Sequence, residues 1–318
     1  MGKRSKIGGY CLALMAMTLA LMAGACSSGG KASPGDRDRK LTVVTTIAQI
    51  AEPLSVIGGD RIVVESLMGP GVDPHTYHAT QGDIRKLDSS DVIFYNGLHL
   101  EANMVRVFEE IGKTRPAVAI AETIAKDKLL YDETGAVDPH IWFDIDLWKE
   151  ALAAAVETLK EASPEDADEF ENNKQAYFAQ LDELKAEASN LLSRIPDNRR
   201  YLVTAHDAFG YFGRMWDIEV VGLQGLSTED EIGLSDIDET IALLLQYQVP
   251  AVFVESSVNP NSIQAVIEGA RKAGLDVALG GELFSDAMGE AGTPEGTYIG
   301  MYRHNVETIG HTLAKEGE

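Results

Sequence analysis

Seven histidines occur among the 318 residues, at 75, 78, 99, 140, 206, 304 and 311. Two of them close the same tripeptide: Asp73-Pro74-His75 and Asp138-Pro139-His140. Proline fixes its own backbone and pushes the preceding residue toward extended geometry. Each Asp can then bond nearby backbone groups or orient the imidazole beside it. An oriented imidazole is what a metal ligand needs. The alternative is a pair of ordinary Asp-Pro turns with exposed histidines, and the duplication argues against it. His206 follows the apolar run YLVTA (201–205), and Asp286 follows DVALGG (276–281). In open parallel α/β sheets, ligands gather at the carboxyl ends of strands. His75 likewise follows the run 62–68, and His140 precedes a helical stretch beginning near Leu147. Two residues from each half of the chain can therefore meet across a cleft. Three imidazoles and one carboxylate suit a first-row divalent ion.

The other histidines are weaker candidates. His78 lies three residues from His75 and could share a helical face with it. His99 is expected at a strand end lining the cleft. His304 and His311 read as face residues of a C-terminal helix. Glu255, inside the apolar run 251–257, is a buried acid by pattern, and a partner to a metal-binding histidine is its first reading; a structural ion pair is the second. The chain has no GxxxxGK[ST] phosphate loop, no HExxH and no GxSxG.

These residues need a scaffold. The runs LTVVTTI (41–47), IVVESLM (62–68), DVIFYNG (91–97) and AVAI (117–120) read as strands. So do YLVTA, EVVGLQG (219–225), AVFVESS (251–257) and DVALGG. Short, nearly continuous apolar runs are the mark of strands buried on both faces of a mostly parallel sheet. Helical patterns at 233–247 and 259–273 lie between them; Asn259-Pro260 opens the second and Gly274 closes it. The class is α/β with two sheets. From Ser163 to Ile195 no strand pattern occurs. Ser163-Pro164-Glu165-Asp166 reads as a helix start, with a capping Ser, a Pro at the first position and acids in the first turn. A helix over 164–195 would run roughly 48 Å at 1.5 Å per residue. It reads as a rigid spine (164–196) between an N-terminal domain, 41–163, and a C-terminal domain, 197–318.

Residues 1–6 are basic, and 7–25 (IGGYCLALMAMTLALMAGA) carry no charge. That is the pattern of an export signal; an N-terminal membrane helix is the alternative. Residues 26–40 read as a flexible tether. The formal charge is −23, and the segment 1–25 holds three bases and no acid, so the remainder is more acidic still. Such a surface repels phosphate backbones and excludes nucleic-acid binding. Of the two cysteines, Cys11 lies in the apolar segment and Cys26 at its end. The stretch Leu21-Met22-Ala23-Gly24-Ala25-Cys26 resembles the bacterial lipoprotein signal, in which the Cys is diacylated; Ala23 stands where that pattern usually has a larger aliphatic residue.

Longer motifs carry a family resemblance. VDPHTYHAT (72–80), DPHIWFD (138–144), TAHDAFGYF (204–212), GLQGLST (222–228), VFVESS (252–257) and GGELFSDAMGE (280–290) resemble the metal-binding lipoproteins (solute-binding proteins) of bacterial manganese and zinc ABC importers, of the TroA/MntA type. The resemblance implies two pseudo-symmetric α/β domains joined by one long helix, with metal in the cleft. It places the ligands on His75, His140, His206 and Asp286; the choice of Asp286 among the acids rests partly on it. It implies a non-enzymatic, monomeric carrier: lipid-anchored through Cys26 at the extracytoplasmic face of the membrane, it hands its ion to a permease and its ATPase. Dedicated zinc members often carry a His-rich acidic loop between the first two ligands. Here only His78 and His99 lie there, which favours Mn2+ over Zn2+ as cargo. A secreted metallohydrolase using Glu255 as base is the rival from another class. The long spine implies little flexing between the domains.

Overall fold

The computed structural model describes residues 39–314. The apolar segment 1–25 and Cys26, and with them the signal and the lipid attachment, lie outside the described residues, as does most of the tether. All eight apolar runs form strands. In the first half, β1 (Leu41–Thr45), β2 (Ile62–Ser66), β3 (Val92–Tyr95) and β4 (Ala117–Ala119) make one parallel sheet in the order β2-β1-β3-β4. Val43 of β1 stands opposite Val64 on one side and Val92 on the other. Burial on both faces holds for β3 and most of β1. The edge strand β2 alternates instead, with Val63 45 % exposed, so that one of its two faces is left open to solvent.

In the second half, β5 (Tyr201–His206) pairs in parallel with β6 (Glu219–Gln224), and β7 (Ala251–Glu255) with β8 (Ala278–Leu283). The expected single sheet of this half is thus two ladders, with β5 and β7 as neighbours. At their ends the His206 N–H donates to the Glu255 carboxylate at 2.8 Å, where a ladder bond to backbone would otherwise run. β6 approaches the loop that follows β5 so closely that a Cβ at Gly222 would lie 2.4 Å from the Asp207 nitrogen.

Nine α-helices connect these strands among the described residues: α1 (Ala48–Gly58), α2 (Gln81–Ser89), α3 (Val105–Ile111), α4 (Ile145–Ala162), α5 (Ala167–Leu192), α6 (Gly210–Trp216), α7 (Leu234–Tyr247), α8 (Asn261–Lys272) and α9 (Tyr298–Ala314). The spine is shorter than its sequence pattern suggests. Pro164–Asp166 forms a separate 3-10 turn, and α5 then runs for 26 residues, about 39 Å. The Ser163 hydroxyl bonds the Asp166 carboxylate at 2.7 Å and does not cap backbone N–H groups. The expected stripe holds: Phe170, Tyr177, Leu181, Leu184, Ala188 and Leu192 are buried, against α1, α4 and α9.

The main hydrophobic core runs without a break from Val43 to Leu313, through both halves; a smaller one lies wholly within the second half, around Val203, Leu244, Val252 and Ile263. Where the halves meet, Trp142, Phe143, Phe209, Tyr298 and Tyr302 are fully buried. Tyr298 donates its hydroxyl to the Trp142 carbonyl (2.6 Å), Tyr302 to that of Phe143 (3.0 Å) and Tyr211 to that of Asp138 (3.0 Å). Burying one large apolar side chain is worth about 1.5–3 kcal/mol. A wide opening of the halves would expose several at once, so the shared core resists it.

Candidate metal centre

The first Asp-Pro-His copy lies in the loop between β2 and α2. The Asp73 carboxylate accepts the His75 N–H at 2.9 Å. Downstream, Thr80 and Asp83 form a capping box that starts α2, and Tyr77 donates its hydroxyl to Asp83 at 2.7 Å. The second copy leads into a 3-10 turn, Ile141–Phe143, and then α4, capped by Asp144. Here one oxygen of Asp138 accepts both the His140 N–H (2.9 Å) and the ring Nδ1–H (2.8 Å). His206 is the last residue of β5; its Nδ1 lies 2.5 Å from Glu255 Oε2 at the end of β7. Asp286 sits just after β8.

These four side chains converge. One ligand atom from each of His75, His140, His206 and Asp286 lies within 4.8 Å of all the others, and all four residues are at most 3 % exposed. The His75 and His140 Nε2 atoms are 3.4 Å apart. Asp286 Oδ1 is 3.3 Å from His140 Nε2; its Oδ2 is 3.2 Å from His206 Nε2 and 3.7 Å from His75 Nε2. Four donors at 2.0–2.1 Å from a tetrahedral ion stand about 3.3 Å from one another. Three of the four contacts lie close to that edge and the fourth, from His75 to Asp286, is longer; Asp286 meets His140 with one oxygen and the other two histidines with its second. Both Asp286 oxygens and His206 Nε2 are buried without a hydrogen-bond partner, which is costly unless something else binds them. A divalent ion satisfies all of them together.

The electrostatics are those of a site awaiting positive charge. Burial lowers the proton affinity of His140, but the carboxylates of Asp138 and Asp286 overcome it and raise the pKa to about 9. His206 is likewise lifted well above its ordinary value, by Glu255 and Asp286 acting against burial. Burial works to raise Asp286, yet the facing imidazoles hold it well below the usual carboxylate range. His75 goes the other way: burial pushes it down to about 4, and Asp286 only partly offsets this.

The remaining candidates separate cleanly. Glu255 is the buried partner of His206. His78 is exposed, and residues 74–76 form a turn followed by irregular chain, not a helix, so it shares no helical face with His75. His99 is also exposed and, with His75, Tyr131, Pro139 and Leu226, lines a cavity of about 620 Å³ beside the centre. His304 lies on α9, its Nε2 3.0 Å from the Glu282 carbonyl oxygen, and His311 lies on the same helix. Spacing did not reveal the segment 96–103. There the buried Glu101 carboxylate accepts the N–H groups of Asn96 (2.8 Å) and Gly97 (3.1 Å) and the Thr46 hydroxyl (2.6 Å). It thereby holds three successive left-handed residues, Gly97, Leu98 and His99. Asn96 donates to the Pro139 carbonyl and Asn103 to that of His75. One segment thus braces both tripeptides. Its one sequence signal is an acid four residues past the glycine that ends an apolar run.

Comparison with known proteins agrees with this geometry. The family model described as zinc-uptake complex component A, periplasmic (ZnuA), matches residues 43–312. The manganese-binding lipoprotein MntA of Bacillus subtilis is 47 % identical over 306 residues, covering 96 % of this chain and 99 % of its own length. The zinc-binding protein TroA of Treponema pallidum is 46 % identical over 278 residues, covering 87 % of this chain and 90 % of its own. The solved structure of that TroA superposes with a TM-score of 0.85, covering 87 % of this chain and all of the other.

Proposed function

The chain belongs to the ZnuA family, and from that premise we propose that it captures a divalent transition metal outside the cytoplasm and delivers it to the permease of an ABC importer. The family's members are substrate-binding components and not enzymes. The observation that carries the reading is the buried set His75, His140, His206 and Asp286, whose ligand atoms lie within 4.8 Å of one another and include orphaned ones. Four protein ligands leave no vacant position for an attacking water, which suits carriage better than hydrolysis.

Each half of the chain supplies two ligands, so the ion closes the cleft between them. The Nε2 atoms face the ion while Asp138 and Glu255 hold the far nitrogens of His140 and His206. Metal binding needs neutral imidazoles. His140 and His206 therefore give up their protons as the ion enters, and protons returning help it to leave. The domain boundaries 41–163 and 197–318, the anchor at Cys26 and the monomeric state belong to the same reading. Manganese stands first as cargo, supported by the likeness to MntA and the lack of a His-rich loop between His75 and His140. Zinc is the second reading. Three imidazoles in the ligand set and the likeness to TroA support it, and an N/O site binds Zn2+ more tightly than Mn2+.

The test is elemental analysis of the purified chain followed by competition between Mn2+ and Zn2+. One equivalent of metal is expected, with His206→Ala losing it while the fold persists. Reversible Mn2+ binding makes manganese the cargo; negligible Mn2+ binding beside tight Zn2+ makes it zinc. Unchanged affinity in His206→Ala would place the site elsewhere.

A further inference from the structure

We propose that Gln49, together with the indole of Trp142, is a positioning residue for Asp286: a latch from the first half of the chain that holds the carboxylate ligand in place before the metal arrives. This rests on the metal-carrier reading and deepens it. Gln49 Nε2 donates to the Ser285 carbonyl at 3.1 Å, and Trp142 Nε1 donates to the same oxygen at 3.2 Å. A carbonyl has two lone pairs, so this one is fully engaged, one residue before the ligand. The donors lie 236 and 143 residues from Ser285 in sequence, and all three residues are fully buried. The other side-chain bonds to this loop come from its own half: Asn305 clamps the N–H and carbonyl of Phe284 (2.9 and 2.7 Å), and Ser256 donates to the Ala287 carbonyl (3.0 Å).

A second observation separates the latch from ordinary packing. Only the amide NH2 can face a carbonyl, so the Gln49 Oε1 is turned away; it is buried and has no partner. A buried orphan acceptor is unfavourable, and a methionine would fill the space without one. The N–H bond to Ser285 is what a glutamine adds there. Its consequence is that the position of Asp286 is set relative to His75 and His140, the ligands of the opposite half. Mn2+, the harder ion, depends on the ligand oxygen more than Zn2+, which three imidazoles hold well. The latch is therefore a selectivity device.

The experiment compares wild type, Gln49→Met, Asp286→Ala and the double variant, titrating the full chain with Mn2+, Zn2+ and Co2+. Gln49→Met is expected to weaken Mn2+ binding about tenfold, the lower end of what a supporting residue costs, to weaken Zn2+ binding less, and to change the ligand-field spectrum of bound Co2+. In the Asp286→Ala background it should add nothing to the loss of Zn2+ affinity, because its effect passes through that carboxylate. Trp142→Phe, which keeps a ring and removes the N–H, should shift Co2+ spectrum and Mn2+ affinity in the same direction. Additive losses in the cycle, or an unchanged Co2+ spectrum in Gln49→Met, would overturn the latch while leaving the carrier intact. A wild-type chain that binds no metal would overturn both.

Discussion

Asp73-Pro74-His75 and Asp138-Pro139-His140 are the same tripeptide, and each Asp accepts the backbone N–H of its His at 2.9 Å. Beyond that bond they differ. Asp138 is 3 % exposed and also holds the ring of His140 through Nδ1. Asp73 spends its other oxygen on Thr76 (3.1 Å) and, across the cleft, on the Thr228 hydroxyl (2.5 Å). The two imidazoles consequently titrate in opposite directions. Burial lowers both, but His140 has two carboxylates at hydrogen-bonding distance and ends at about 9, whereas His75 ends at about 4. A short motif sets a local backbone bond. What a ring does with its proton depends on neighbours that the motif does not contain.

Substituting the two aspartates separates the copies most strongly. Asp138→Asn is expected to weaken metal binding by roughly 10–100-fold, the usual cost of losing the group that orients a metal-bound histidine. Asp73→Asn should cost much less, because an amide oxygen still accepts the His75 N–H. Isothermal titration of both variants with Zn2+ checks this; equal losses would erase the distinction.

The pH dependence of the metal-free protein comes next. His140 has a folded value above its unfolded value of about 6.5, so its contribution is fully present below that pH and is lost as pH rises through about 9. His75 has a folded value below the unfolded one, so stability is lost as pH falls from about 6.5 toward about 4. The melting temperature without metal should therefore decline on both sides of neutrality, by several degrees. In Asp138→Asn the alkaline decline should shrink and the acid decline remain. Metal binding near pH 7 should release about two protons, from His140 and His206, so affinity falls with acidification from well above the ordinary histidine range. Titration in buffers of different ionisation enthalpy counts those protons.

The smallest effect is expected at the bridge between the halves. Thr228→Val removes the cross-cleft partner of Asp73 and should cost about 1 kcal/mol in denaturant unfolding, with the titration of His140 unchanged in NMR. A shift at His140 would mean that the two copies communicate through the cleft.

Much of this molecule was legible in one dimension. Eight apolar runs became eight strands, since continuous β-branched residues leave a buried parallel strand as the economical structure. Asn259 accepts the Asn261 N–H just ahead of α8, but the helix starts one residue later than expected, with Pro260 at the cap position and not inside the first turn. The spacing of Phe170, Tyr177, Leu181 and Leu184 disclosed the buried stripe of α5. The 3-10 turn at Pro164–Asp166 was not legible, because a Ser-Asp side-chain bond competed with the expected cap. Nor was the role of His78, whose spacing from His75 fits a helix that the turns around Pro74 do not form.

The sequence by itself determined the strands, the spine, the excess of negative charge and the three histidines with the chemistry to hold a metal, Asp286 being singled out partly by the family resemblance. These depend on residue type and short-range spacing, which act through local backbone preference and burial. Only the tertiary structure decided that Asp138 serves a ring while Asp73 serves a loop. It alone placed Glu101, Asn96 and Asn103 beneath both tripeptides, and brought Gln49 to a carbonyl 236 residues away. Those outcomes depend on which side chains become neighbours once the two halves share a core, and no periodicity encodes that.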